Sequence, residues 1–168
     1  MPDSTLSQAL KEAYAAAPSE VVVYHTIEIS HPAFDAPIYV VNDFEDLNAQ
    51  LEGGAPVTFL RFAFRLTKPE VSPTGVPQVT VEIDNVSRDI LANVQLAMGS
   101  TSLITMTYRQ YISTDLTGPQ NDPPMTMVVS AINADVFKVS ATATFGDLNN
   151  KRFPPDEYTA ERFPGLVV

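Results

Sequence analysis

Side chains alternate with a period of two through most of this chain, and that commits it to β-structure. In "VTFLRFAFRL" (Val57–Leu66), Phe59, Arg61, Ala63 and Arg65 share one face of an extended segment. Leu60, Phe62, Phe64 and Leu66 fill the other, which is the pattern of a strand. "VVVYHTIEIS" (Val21–Ser30) alternates in the same way, with Val21, Val23, His25, Ile27 and Ile29 on one face. "HPAFDAP" turns the chain, and "IYVV" (Ile38–Val41) returns it as a hairpin with a longer loop. Further strands are predicted at Gln78–Val86, Ser102–Thr114, Met125–Ala134 and Val136–Phe145, the last two forming a hairpin that turns near Asn133–Asp135.

Two segments break this period. Residues 4–17 place Leu6, Ala9, Leu10, Ala13, Tyr14 and Ala17 at helical spacing, with Ser4 as cap and Pro18 as stop. Residues 87–98 form a second helix: Ser87 caps it, Asp89 lies in its first turn, and Gly99 follows its end. Ile90, Leu91, Val94, Ala97 and Met98 make its apolar stripe. "NDFEDLNAQLEGGAP" is acidic and ends in Gly-Gly and Pro, so it reads as mostly loop. About seven strands and two helices, without regular strand–helix alternation, predict a mainly β fold: an antiparallel β-sandwich or barrel with a flanking helix. Residues 1–145 read as a single β-rich domain, and residues 146–168 as an extended arm.

Chemistry is sparse. With 20 acids and 10 bases the formal charge is -10, which disfavours a surface that holds nucleic acid by counterion release. The absence of cysteine excludes disulfides, thiol catalysis and cysteine-ligated zinc. No basic segment followed by an apolar run opens the chain, so no secretory signal is expected. His25 lies on an apolar strand face and His31 in a turn, which reads as a core or interface histidine and a turn histidine rather than a metal pair. Asp43, Glu45, Asp46 and Glu52 lack the ligand spacing of a calcium loop and read as a solvated loop. Asp84, Asn85 and Asp89 read as turn and capping residues. No phosphate-binding glycine loop and no Gly-x-Ser-x-Gly elbow is present. No catalytic, cofactor-binding or metal-ligating residue is expected, although a carboxylate glycosidase stays open. Phe34, Phe44, Tyr108 and Tyr111 are the aromatic candidates for a host-surface or glycan-binding module.

The closing "FGDLNNKRFPPDEYTAERFPGLVV" has neither period, yet it is rich in aromatics and proline and carries Arg-Phe-Pro twice. Arg152, Phe153, Pro154, Tyr158, Arg162, Phe163, Pro164 and Leu166 are its candidate subunit-contact residues. An arm of roughly 22 residues spans on the order of 70 Å when stretched, at about 3.3 Å per residue. Proline lowers the entropy lost on docking, and each phenylalanine in a groove contributes about 2–3 kcal/mol. Packing on its own domain, over a sheet edge, is the alternative.

"TLSQALKEAYAAAP", "IEISHPAF", "VTVEIDNVSRDI", "YRQYISTDLTGPQNDPPMTM" and "LNNKRFPPDEYTAERFPGL" together resemble a family of tailed-bacteriophage tail proteins of unknown function, from Thr5 to Leu166. The resemblance implies a minor tail or tail-tip protein, similar in role to the tube-capping minor tail proteins of lambda-like phages. It implies a tail-tube type sandwich or barrel that assembles with itself into a ring, for which a hexamer is the candidate stoichiometry. Tail tube and hub or tip proteins are the implied partners, and the virion is the implied location, after synthesis in a host cytoplasm. DNA is expected only to pass through the lumen, and no cofactor is expected. A tail-assembly factor missing from the finished virion is the alternative.

Overall fold

A computed structural model of the protein describes residues 6–67, 78–84, 93, 97, 100, 102–134 and 138–145. Helix α1 (Gln8–Ala16) precedes nine strands: β1 (Val23–Ser30), β2 (Ile38–Val41), β3 (Leu47–Gln50), β4 (Pro56–Arg61), β5 (Phe64–Thr67), β6 (Gln78–Asp84), β7 (Thr105–Ile112), β8 (Met125–Ala134) and β9 (Lys138–Thr144). They form one open sheet in the order β3-β4-β2-β1-β7-β8-β9-β6-β5. The predicted hairpins β1–β2 and β8–β9 are both present and antiparallel. One pair, β2–β4, is parallel, which the expectation of an antiparallel fold did not anticipate.

The sheet folds over on itself. One apolar cluster joins Ile27, Val40, Met106 and Tyr108 of β1, β2 and β7 to Phe64, Val79, Val81 and Ile83 of β5 and β6. Met127, Val129, Val139 and Ala143 of β8 and β9 complete it. Strands far apart in the sheet order therefore face each other across one core, which is a β-sandwich. A second cluster, of Val41, Leu47, Ala49, Phe59 and Tyr111, lies where β3 and β4 pack on β2 and β7. This face differs from the first because successive residues of β1 point opposite ways: Thr26 and Ile27 are both fully buried. Strand β1 is thus covered on both sides.

Residues 57–66 are two strands instead of one. Phe62 and Ala63 interrupt the ladder, and the interruption inverts the alternation. Phe59 is buried in β4 while Leu60 is exposed; in β5 it is Phe64 that is buried. Of the single face predicted for Leu60, Phe62, Phe64 and Leu66, the last three pack on the main core, whereas Leu60 is exposed. The physical reason is that this segment changes partners: β4 pairs with β2 and β3, whereas β5 pairs with β6. It sits at a corner of the sandwich, where strands switch sheets.

Two other expectations need correction. The acidic stretch contains strand β3, because Leu47 and Ala49 alternate into the second cluster while Asn48 stays exposed. Helix α1 starts later than predicted, capped by Ser7, whose Oγ accepts from the Leu10 N–H at 3.1 Å. Ser4 lies outside the described residues, and Leu6 is drawn off into a bridge with Asn121. The helix buries Leu10 and Ala13. It ends at Ala17, held in the left-handed region at φ 41, with Pro18 behind it. Of the second predicted helix, Asn93 and Ala97 are helical and Ala97 is buried in the main core; the other positions lie outside the described residues.

Candidate functional site

The sandwich does not close between β5 and the α1–β1–β2 side, and a cleft of about 510 Å³ occupies that seam. Its lining is Tyr14 of α1, His25 of β1, Asn42 just after β2, Phe64, Arg65 and Leu66 of β5, and Tyr108 of β7. Each side chain arrives by the local logic of its element. His25 and Tyr108 share the inner face of neighbouring strands, where Ile27 pairs with Tyr108 and His25 with Gln110. Tyr14 follows Leu10 and Ala13 around the helix and projects from their edge. Asn42 extends the β1–β2 ladder, its N–H donating to the His25 carbonyl at 3.0 Å.

Polar groups converge here. His25 Nδ1 and the Tyr108 hydroxyl are 2.6 Å apart, with the rings nearly parallel. Gln110 Nε2 donates to the Tyr14 hydroxyl at 2.7 Å. Asn42 Oδ1 accepts from the Phe64 N–H at 3.4 Å, a long bond that ties the start of β5 to the β2 side. Burial pushes the Tyr108 hydroxyl well above the ordinary tyrosine range. Burial also raises Tyr14, and the Gln110 hydrogen bond offsets part of that rise. Both phenols therefore stay protonated at neutral pH and act as hydrogen-bonding groups, not as bases.

A second polar constellation lies on the opposite face. Arg109 of β7 is buried, yet it reaches Glu28 Oε2 from Nη1 at 2.6 Å and Glu52 Oε1 from Nε at 2.6 Å. Glu28 stands on β1, and Glu52 follows β3, so the three residues rivet the β3–β4 hairpin to the sheet. Tyr111 adds a bond from its hydroxyl to the Gln50 carbonyl at 3.0 Å. Burial pushes the Glu52 carboxyl up, but the hydrogen bonds and charge of Arg109 outweigh it and hold the group below the usual carboxylate range. Burial disfavours the Arg109 cation, but bonds to Glu52 and Glu28 overcome that and raise its pKa. Burial pushes Tyr111 up to about 12, and burial with the Glu28 charge raises Tyr39. Glu52 was expected in a solvated loop; it is instead one arm of this network. Asp43 and Asp46 are also engaged, accepting from the Phe44 and Arg61 N–H groups.

The two histidines lie apart in function. His31 is buried; its Nδ1 accepts from the Ala33 N–H at 3.0 Å and its Nε2 faces the Ser102 carbonyl at 3.2 Å. A carbonyl only accepts, so the Nε2–H tautomer satisfies both contacts, and this ring fixes the turn. Among the described residues, no group of three or more metal-ligating side chains is assembled. Of the four aromatic candidates, Phe44 is 91% exposed, while Tyr108 and Tyr111 are buried and Phe34 packs on the main core. They do not form one surface cluster. The expected contact residues Arg152, Phe153, Pro154, Tyr158, Arg162, Phe163, Pro164 and Leu166 lie outside the described residues, as do Asn85 and Asp89.

Fold and clefts together define a mainly β sandwich protein with an open sheet, two unlike edge strands and a polar-lined seam. The chain belongs to the family described as a domain of unknown function, DUF1833, whose match runs over residues 9–158. No curated protein matches the chain.

Proposed function

We propose that this chain is a structural, non-enzymatic component of a bacteriophage tail tip or baseplate, forming a ring at the distal end of the tail tube and joining it to hub or fibre proteins. The observation that carries the reading is the open sheet with β3 at one end and β5 at the other. A ring of identical subunits needs two different adhesive surfaces on each copy, repeated until the circle closes. Two unlike edges, each flanked by a groove of about 400 and 510 Å³, meet that requirement. The resemblance of the sequence to tail proteins points the same way. In this reading the Arg-Phe-Pro units at residues 152–154 and 162–164 are paired anchors on a neighbouring copy. A net charge of -10 lets DNA pass the ring without adhering.

Mass spectrometry of purified virions from the phage that encodes the chain tests this. The chain is expected among the structural proteins at several copies per particle. Its absence from virions that need its gene to assemble favours an assembly factor instead.

A further inference from the structure

Both halves of a self-complementary contact lie side by side at the open edge of β5. One half is the seam cleft, with Phe64, Leu66 and Tyr108 as apolar wall and Tyr14, His25 and Asn42 as polar rim. The other half starts from that rim. Two residues after Asn42 the ring of Phe44 stands 91% exposed, so it gains nothing from its own chain. Its loop is tied down: the Phe44 N–H donates to Asp43 Oδ1 at 2.6 Å, and the Arg61 N–H donates to Asp46 Oδ1 at 2.9 Å. The ring is thus presented on a braced turn, which lowers the entropy lost on docking.

Charge distinguishes the two halves. Asp43, Glu45 and Asp46 surround Phe44, with Arg61 as the one cation among them. The cleft edge carries Arg65, opposite Glu82, and Glu82 is bonded to Lys138 at 2.8 Å. Asp84 is the register partner of Lys138, so those charges balance along the edge, but the described lining of the cleft carries Arg65 and no acid, against a net acidic knob, on a protein whose copies otherwise repel. The backbone agrees. The described residues give the outer side of β5 one hydrogen bond, from the Phe64 N–H to Asn42 Oδ1. Strand alternation turns the Leu66 N–H and C=O the same way, toward an incoming partner.

We propose that two copies of this chain pair about their β5 edges, each placing Phe44 in the other's cleft and its acids against the other's Arg65. One patch supplies both halves, so the contact is isologous and closes at two. It goes beyond the tail reading and does not rest on it. In a ring-forming protein such a pair would cover the β5 edge until assembly, since an open edge invites unwanted pairing.

Sedimentation velocity of the purified full chain, from about 1 to about 100 μM, tests the pair. The wild type is expected to sediment as a dimer at the upper end. Phe44→Ser is expected to weaken dimerisation by about tenfold or more while leaving the circular dichroism spectrum and melting temperature unchanged. Arg65→Glu is expected to weaken it also, and adding Glu45→Arg to that variant to restore it. A wild type that stays monomeric, a Phe44→Ser chain that dimerises as well as the wild type, or a charge swap with no recovery overturns the proposal. A monomeric wild type would leave the tail reading untouched, because that is judged on virions.

Discussion

Replacing Arg109 by methionine is the sharpest perturbation of the fold. The Arg109 side chain is 7% exposed and its partner Glu28 is 17% exposed, so removing the cation strands a carboxylate where water reaches it poorly. Breaking a buried pair by deleting one partner costs about 3–5 kcal/mol, because the remaining charge is uncompensated. Methionine fills similar volume, so little of that cost comes from a cavity. Glu52 is 37% exposed, and for a pair this wet solvent screening reduces the loss on Glu52→Gln to about 1 kcal/mol. Neutralising the stranded acid as well should return stability: the double variant Arg109→Met with Glu28→Gln is expected to be more stable than Arg109→Met alone. Urea unfolding followed by circular dichroism measures all three, since the chain has no tryptophan. Should Arg109→Met lose less than about 1 kcal/mol, or the double variant lose more than the single, the reasoning about uncompensated charge fails.

Other expectations follow from the same contacts. Glu52 and Asp115 sit below their ordinary values, Glu52 through Arg109 overcoming burial and Asp115 through the Thr117 hydroxyl and backbone N–H. Lowered carboxylates stabilise above their unfolded pKa of about 4 and lose that contribution as pH falls through the folded value, so urea midpoints should drop below about pH 4. Burial raises Tyr14, Tyr39, Tyr108 and Tyr111, which stabilise fully below the unfolded value of about 10 and lose the contribution as pH rises through the folded ones. Ultraviolet titration should therefore show late phenol ionisation coupled to unfolding, and early, reversible ionisation of all six tyrosines would contradict this. Ala17→Gly relieves a left-handed alanine at the end of α1 and should raise stability by about 0.5 kcal/mol after the entropy gained by the unfolded chain, read as a higher urea midpoint. Deleting residues 151–168 is expected to lower the mass of the tail-tip assembly purified from virions, and a truncated chain that still builds full rings there rules out the anchor role.

Sequence periodicity located β1, β2, β6, β7, β8 and β9 because those strands keep one alternation from end to end, β8 excepted at its register shift between Val129 and Ala131. It failed at residues 57–66, where the pattern looks continuous although the partner strands change after Arg61. The even positions Leu60, Phe62, Phe64 and Leu66 are apolar throughout and hide the parity switch, while Phe59, which is buried before it, shares its face with Arg61 and Arg65. Strand β3 was hidden for the opposite reason: Asn48 and Gln50 are poor strand formers, and only Leu47 and Ala49 mark the buried face. The polar sites were illegible in principle. Arg109 and Glu52 are 57 positions apart, and His25 and Tyr108 are 83 apart, so no local spacing links them. What the sequence did carry was the exposed Phe44 among acids, a hydrophobe with no periodic reason to be there.

A cryo-EM reconstruction of the tail tip in purified virions bears most directly on the central claim. The account predicts density for several copies of this sandwich arranged in a closed ring around the lumen, with β3 of each copy facing β5 of the next. A tail tip that lacks the chain, or that holds it as a single isolated copy, would contradict it.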